Sequence, residues 1–437
     1  MEMGFFEKIF YRIAGPFIRT WYEIKNIVAK FKWFFSKDKE VFTNSFEYNY
    51  ICVLALYQTG KIRKDIFELI KELKRRNVFT IAVNTKKLQK EAIKSIEPFV
   101  GKYIERHNYG RDFSSYKKGV LEFYKNYNDD KCKRLIILND SIMYVNDIEG
   151  FIDKFCNSPH PAAGTTENFE FQRHLGSFTL SLSPKVFLNK HMKKYWKNYK
   201  DTDVRPTVIK RGELGFSKAL SKCVNDSTEI NALYNSLTFR DYLECNQEIV
   251  ENFDLYTRNS LSSGGVDWKT FSVQSIAVDL RKKLFPDDVL YEEQFFQKDS
   301  SSEKKLSIIK KDDTEKNLSY VSNYESLKEW VKSKSVMVDE VDADEFIRKQ
   351  ICWTWFENFR SGSQIHNNFI ILLQMGCPII KLDLVYRGVA IREDVEKLEK
   401  VLDKETYRFV EEQLYSRPYG QDSLSGLDQI AFANGLL

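Results

Sequence analysis

From Tyr48 onward, short apolar runs alternate with charged stretches of helical period, and this alternation narrows the possible folds more than any other feature of the chain. Ile51-Cys52-Val53-Leu54-Ala55-Leu56-Tyr57, Phe79-Thr80-Ile81-Ala82-Val83, Tyr103-Ile104 and Leu135-Ile136-Ile137-Leu138 read as strands. Between them, Asp65 to Arg76 sets Ile66, Leu69, Ile70 and Leu73 on one helical face, and Leu88 to Phe99 and Tyr116 to Tyr124 read as further helices. Strands that are apolar on both faces must be covered on both, so helices pack above and below a parallel sheet in an α/β fold. The 437 residues suffice for one large α/β unit or two modest domains. A mean hydropathy of -0.44 excludes a polytopic membrane protein. A net charge of +5 is too weak over this length to point to nucleic acid, and none is expected as a partner.

The seven cysteines are scattered, without CxxC or Cys/His spacing, so neither a zinc site nor a disulfide framework is legible. Cys52 and Cys377 lie in apolar stretches and read as core thiols of a reducing compartment. No secretory signal is legible either, because Glu7, Lys8, Arg12 and Arg19 interrupt every early apolar stretch.

Residues 1–40 stand apart, with 11 aromatic residues and a net charge of +3. Gly15-Pro16 divides them into two expected helices. In the second, Trp21, Ile24, Val28, Phe31 and Phe35 step by three and four along one face. A basic helix with an aromatic stripe suits the headgroup boundary of an anionic leaflet, without spanning it. It equally suits packing on the protein's own surface, and both readings stand. The expected location is the cytoplasm, peripheral on the inner face of the plasma membrane.

Ligands of open α/β sheets bind beyond the carboxyl ends of the strands, so polar residues released there are the first candidates for chemistry. His107-Asn108-Tyr109-Gly110-Arg111-Asp112-Phe113 joins a strand to a helix beginning near Ser114. Gly110 permits a tight turn, and Arg111 and Asp112 then sit at a helix amino terminus suited to an anion; a surface ion pair is the plainer alternative. Asn139-Asp140-Ser141 ends another strand and offers a carboxylate able to hold a divalent cation against a diphosphate, although the triplet is also ordinary turn chemistry.

Several blocks follow one another along the chain: Asn108 to Phe113 leading into Tyr116-Lys117-Lys118-Gly119, Leu138-Asn139-Asp140-Ser141, and His174-Leu175-Gly176-Ser177-Phe178. Trp196, Glu213-Leu214-Gly215-Phe216-Ser217 and a late stretch from His366 to Pro378-Ile379-Ile380-Lys381 complete the series. In this ordered set the chain resembles the rhamnan synthesis F family of bacterial polysaccharide glycosyltransferases, over about residues 46–225 and 360–390. Gly176 stands where that family usually has Gln. The resemblance implies a Rossmann-like sheet of the glycosyltransferase A type with flanking helices and a mostly helical C-terminal part. It further implies transfer of a sugar from a nucleotide-sugar donor to a lipid-linked glycan in cell-surface polysaccharide synthesis such as that of O-antigen, rhamnose on deoxythymidine diphosphate being the suggested donor.

Such a transfer needs the leaving diphosphate neutralised, the nucleotide held and the acceptor hydroxyl deprotonated. By the resemblance, Asp140 is the ligand of Mg2+ or Mn2+; Ile142 replaces the usual second acid, so metal independence stays open. Asn108, Gly110, Arg111, Asp112 and Asn139 are the nucleotide-binding candidates. Glu213, introducing a helix at Ser217 to Cys223, is the preferred base of an inverting in-line displacement, and His174 is its rival. Ser141, Ser177, Trp196 and His366 are the candidates for acceptor or phosphate contact, with core packing the alternative for Trp196. A metal-dependent phosphohydrolase using Asp140 and a non-catalytic membrane-docked scaffold of a glycan assembly complex are the competing classes.

The domain plan expected is amphipathic membrane-associating helices in 1–40, a nucleotide-sugar-binding core in 46–250, an insertion or linker in 251–345 and a helical region in 346–437 that completes the core or acceptor side. The polar run from Asp299 to Tyr320 marks a loop in the third segment. Thr228 to Asn246, Tyr324 to Lys334, Phe346 to Phe359, Phe369 to Leu373 and Val395 to Leu414 read as helices, and Pro378 to Lys381 as extended. Nothing in the sequence fixes an oligomeric state.

Overall fold

A computed structural model describes residues 5–127, 131–258, 262–263, 266–267, 276, 323–334 and 343–437. The expected polar loop at 299–320 lies outside these residues. Four parallel strands occupy the middle of the main sheet: β2 (Tyr50–Leu56), β3 (Val78–Asn84), β4 (Lys102–Glu105) and β5 (Arg134–Asn139). β1 (Lys39–Thr43) closes one edge antiparallel to β4. On the far side of β5 come β10 (Thr179–Leu182), antiparallel, then β7 (Ala162–Gly164) and β11 (Ile230–Ala232). The order is β1-β4-β3-β2-β5-β10-β7-β11, and β8 (Glu167–Asn168) and β9 (His174–Leu175) pair with each other outside it.

Side-chain alternation explains the layers. Along β2, Ile51, Val53 and Ala55 enter one core while Cys52, Leu54 and Leu56 enter the other, and all six are buried. One face is covered by α2 (Lys64–Arg75), which buries Ile66, Leu69, Ile70 and Leu73 as its period predicts. Helix α3 (Lys90–Ile96) joins it there, and α4 (Arg111–Asn126) covers the other face through Phe113, Tyr116, Val120 and Phe123. The chain winds outward from β2 to β3 and β4, then returns to place β5 on the opposite flank of β2. That reversal leaves a crevice between the carboxyl ends of β2 and β5.

The C-terminal part is stitched into this core. β12 (Ile379–Lys381) pairs antiparallel with β6 (Ile142–Tyr144), and the amide of Leu382 reaches the Ser141 carbonyl at 3.2 Å. The helix Ala343–Phe359 buries Ile347, Ile351, Trp355 and Phe359, with Phe359 stacked 4.0 Å from Phe239.

The α/β class expected from the sequence is the fold observed, but several boundaries move. Residues 5–35 form one helix, α1 (Phe5–Phe35), that continues through Gly15-Pro16. A proline removes one helical hydrogen bond and crowds the preceding turn, and here the turns on either side hold. The sheet begins at Lys39, inside the segment expected to be helical. Thr228–Asn246 is not one helix: β11 precedes a helix at Ser236–Cys245, whose first turn is capped by the Asn235 side chain. Val395–Leu414 is broken where Asp403 caps a new helix, Lys404–Tyr415.

Candidate active site

The loop before α4 is held in an unusual shape. Gly110 and Arg111 are both left-handed, at φ 85 and 52. The first suits glycine; the second is costly for any side chain and persists only where the surroundings enforce it. They do so here. The Gly110 amide donates to Asp203 Oδ1 at 2.6 Å, and Arg111 Nε donates to the Asp203 carbonyl at 2.9 Å. Buried Arg106 holds the Tyr109 carbonyl at 3.0 Å and Ser114 Oγ at 2.8 Å. Beneath the loop, Tyr109 donates to Asn26 Oδ1 of α1 at 3.2 Å. Helix α4 therefore starts at Arg111, three residues earlier than expected.

From this start a polar chain crosses the crevice. Asp112 Oδ2 accepts from Asn139 Nδ2 at 2.8 Å; Asn139 Oδ1 accepts from Ser141 Oγ at 2.9 Å; Ser141 Oγ accepts from Lys381 Nζ at 3.2 Å. Burial raises the Asp112 carboxyl above its ordinary value, against the pull of Lys381, Arg111 and Asn139. Asp140 turns to the other side. Its Oδ2 accepts from the Tyr57 amide at 2.7 Å and from Gln58 Nε2 at 2.5 Å, which ties off the end of β2, and burial pushes its pKa up to about 6. Among the described residues no three His, Cys, Asp or Glu side chains converge to hold a metal ion. One carboxylate with its Oδ2 already committed to two donors does not fit the expected Mg2+ or Mn2+ site.

Glu213 and His174 meet on the opposite wall. His174 Nδ1 lies 2.7 Å from the Gln172 carbonyl and Nε2 lies 3.4 Å from Glu213 Oε2, while Ser177 Oγ donates to Glu213 Oε1 at 3.3 Å. With Nδ1–H committed to a carbonyl, a neutral ring would turn its Nε2 lone pair on a carboxylate, so the pair favours imidazolium beside carboxylate. Burial opposes both charges, yet the mutual hydrogen bond holds His174 above its ordinary value and Glu213 below its own. The preferred base and its rival thus form one unit. Glu213 does not introduce a helix from a loop, as expected; it ends a π-helical turn, Ile209–Glu213, inside a helical run from Arg205 to Ser221. Gly212, just before Glu213, is there because a Cβ would strike the Phe113 ring at 2.6 Å.

Electrostatics draw these groups together. Asp112 feels Glu213, Lys381 and Arg111; Asp140 feels Asp112; Glu213 feels Lys381 and Arg205. Three expected contacts fall elsewhere. Trp196 is fully buried, packed against Phe113 and Phe216, and has no face left for a sugar. Asn108 is exposed on the loop and has no hydrogen bond among the described residues. His366 has both ring nitrogens engaged, Nδ1 with Ser363 Oγ at 2.9 Å and Nε2 with Asp383 Oδ1 at 3.3 Å, so it orients Asp383 rather than presenting a free nitrogen to phosphate. The sequence reading assigned no role to Lys381, Arg205, Arg387, Asp383 or Gln58. Lys381 and Gln58 each follow an apolar run, which is the one signal that could have found them; the arginines carry none.

Residues 79–228 match the family model described as rhamnan synthesis protein F. The uncharacterized protein y4gN of Sinorhizobium fredii (strain NBRC 101917 / NGR234) is 23% identical over 173 residues, 38% of this chain, and the chain spans 45% of that relative's length. Two solved structures are similar in part. A putative glucose-1-phosphate thymidylyltransferase from Bacillus anthracis has 12% identity and a TM-score of 0.27, with 42% of this chain and 86% of that one covered. The glycosyltransferase GlyE of Streptococcus pneumoniae has 13% identity and a TM-score of 0.25, with 45% and 50% covered. The matched stretch holds Arg111, Asp112, Asn139, Asp140, His174 and Glu213, and it is over this stretch, residues 79–228, that the chain is similar to the rhamnan synthesis F family.

Proposed function

We propose that the protein is an inverting glycosyltransferase that moves a sugar from a nucleotide donor to a lipid-linked glycan in cell-surface polysaccharide synthesis. The family match supports the coarse reading, a glycosyltransferase of polysaccharide synthesis. The observation that carries the finer one is the His174–Glu213 pair facing Asp112 and Arg111 across the crevice beyond β2 and β5. In this reading Glu213, kept ionised by His174, accepts the proton of the acceptor hydroxyl. The acceptor oxygen bonds to the anomeric carbon, whose bond to the diphosphate oxygen breaks, and the electron pair leaves with the nucleoside diphosphate. Asp112, set by Asn139, takes donors of the ribose or base, and Arg111 takes a phosphate. No step is routed through a metal.

Membrane association is the second half of the proposal. Among the described residues no helix is long and apolar enough to cross a bilayer. Helix α1 nevertheless exposes Trp21, Ile24, Val28, Phe31 and Phe35 along one face, flanked by Lys25 and Lys32, which suits an anionic headgroup layer. The deciding experiment is a screen of activated sugars against a lipid-extract acceptor, with mass spectrometry and anomeric assignment of the product. A glycan extended by one inverted residue is expected. Nucleotide binding without transfer from any donor would leave only the scaffold reading.

A further inference from the structure

The charge of a departing diphosphate must be met by something, and the Asp140 donor set does not build a metal cage. The opposite resource is plentiful. Arg111, Arg205 and the stretch that carries Lys381 and Arg387 are three separate segments, and hydrogen bonds together with short steps along the chain link them into a ring. Arg111 is bonded to the Asp203 carbonyl. Two residues on, Arg205 Nη1 donates to the Gly435 carbonyl at 3.3 Å, and Arg387 Nη1 donates to the main-chain oxygen of Leu437 at 3.5 Å. Arg387 pairs with Asp383, itself two residues from Lys381, and Lys381 returns through Ser141 and Asn139 to Asp112, beside Arg111.

Among the described residues, Arg387 alone of the four has a carboxylate within ion-pair distance, Asp383; Asp112 and Glu213 act on Lys381 from farther away. Burial first, and then repulsion from Arg387, lowers both Arg111 and Arg205, the latter to about 10, while Asp112 and Asp203 oppose this at Arg111 and Asp383 and Glu213 oppose it at Arg205. The carboxylates around these cations, Asp112, Asp203 and Glu213, stay beyond ion-pair distance of them, so among the described residues Arg111, Arg205 and Lys381 keep charged donors that a phosphate could take.

We infer that Arg205, Arg387 and Lys381, with Arg111, form the diphosphate-binding wall of the site and take the charge that a divalent cation would otherwise neutralise. The inference rests on the transferase reading and names the chemistry that holds its leaving group: planar guanidinium forks matched to phosphate oxygens, and an ammonium as point charge. Asp383, fixed by His366, is a positioning residue that aims Arg387.

The test is calorimetric titration of the full chain with pyrophosphate and with dTDP, UDP and GDP, each in EDTA and again in magnesium. At least one nucleoside diphosphate should bind in EDTA, no more than about threefold more weakly than with magnesium. Arg205→Gln and Arg387→Gln should each weaken that metal-free binding by at least about tenfold, the loss of one charge-assisted contact, while far-UV dichroism stays unchanged. Should either variant fail to fold, the wild-type protein still decides: its metal-free affinity should fall steadily as potassium chloride is raised. Binding that requires magnesium or manganese overturns the inference and leaves the transferase reading standing. Metal-free binding that is indifferent to salt, or to both substitutions, overturns it as well. If no nucleoside diphosphate binds under either condition, the transferase reading itself fails and the inference goes with it.

Discussion

The crevice and the outer face of α1 depart from ordinary burial in opposite directions. In the crevice, charge is withdrawn from water: Asp112, Asp140, Glu213 and Lys381 lie in or near the interior, and Arg111 and Arg205 have no carboxylate within ion-pair distance among the described residues. On α1, apolar surface is left in water, with Phe17 and Phe34 each 75% exposed. A buried unpaired cation asks for an anion, and an exposed row of rings asks for an apolar boundary. The two regions are joined through one residue. Asn26, on the inner side of α1, accepts from Tyr109 Oη, Thr202 Oγ1 and the Asp203 amide, and so braces the loop that carries Arg111. The helix is therefore packed on the protein by Ile18, Tyr22 and Asn26 while it exposes its other side; the packing reading describes its inner face, and the docking proposal concerns its outer one.

The largest effect should fall on the crevice alone. Glu213→Gln removes the proposed base and should lower the transfer rate by at least about 100-fold, with nucleoside-diphosphate and liposome binding unchanged. A near-normal rate moves the proton to another acceptor. Next comes the outer face alone. Phe31→Ser, Phe34→Ser and Phe35→Ser together remove rings worth about 1 kcal/mol or more each at an interface, so binding to anionic liposomes should weaken about 100-fold. Turnover on a soluble acceptor analogue should stay as it was. Liposome binding equal to wild type would leave α1 as a packing helix with an unexplained apolar face.

How much of this was legible beforehand differs between the same two regions. The stripe on α1 is a local pattern of period 3.6 in one segment, and sequence reveals it directly; what it could not reveal is that the opposite side, Tyr22 and Asn26, bonds to residues some 80 to 400 positions away. In the sheet, β2 and β5 were legible because every inward position is apolar, whereas β7 is Ala162-Ala163-Gly164, small residues with little strand preference, selected because a Cβ at Gly164 would lie 3.1 Å from Leu175. The crevice was legible only on its strand-end side, at Arg111, Asp112, Asn139 and Asp140. Its cationic wall comes from Arg205, Lys381 and Arg387: β12 pairing with β6 sets Lys381 beside Ser141, and the two arginines have no local signature.

A smaller effect tests the junction. Gly110→Ala would put a Cβ at a φ of 85, 2.5 Å from the Ser114 Cβ, so the turn must deform. A strain of about 1–3 kcal/mol is expected, read as a lower melting temperature and roughly tenfold weaker nucleoside-diphosphate binding. Because Arg111 moves but the rings of α1 do not, liposome binding should hold. If it falls together with nucleotide binding, the loop and α1 are one mechanical unit rather than two regions braced at a point.

The smallest effect is a pH dependence that belongs to the crevice and has no counterpart on α1. His174 is raised by Glu213, so its contribution to stability is full below the ordinary histidine value of 6.5 and is lost as pH rises through the higher folded value. Glu213 is lowered by His174, so its contribution is full above the ordinary value of 4.5 and is lost as pH falls through the lower folded value. The pair therefore stabilises the fold most between 4.5 and 6.5 and less on either side. Melting temperatures of wild type and His174→Gln, compared from about pH 4 to pH 9, should differ most within that window, by the equivalent of roughly 1 kcal/mol. The same comparison with the triple phenylalanine variant should be flat, since no titrating group is removed. A flat difference for His174→Gln as well would mean that imidazole and carboxylate are neighbours without being an ion pair, and Glu213 would then need another partner to keep it ionised.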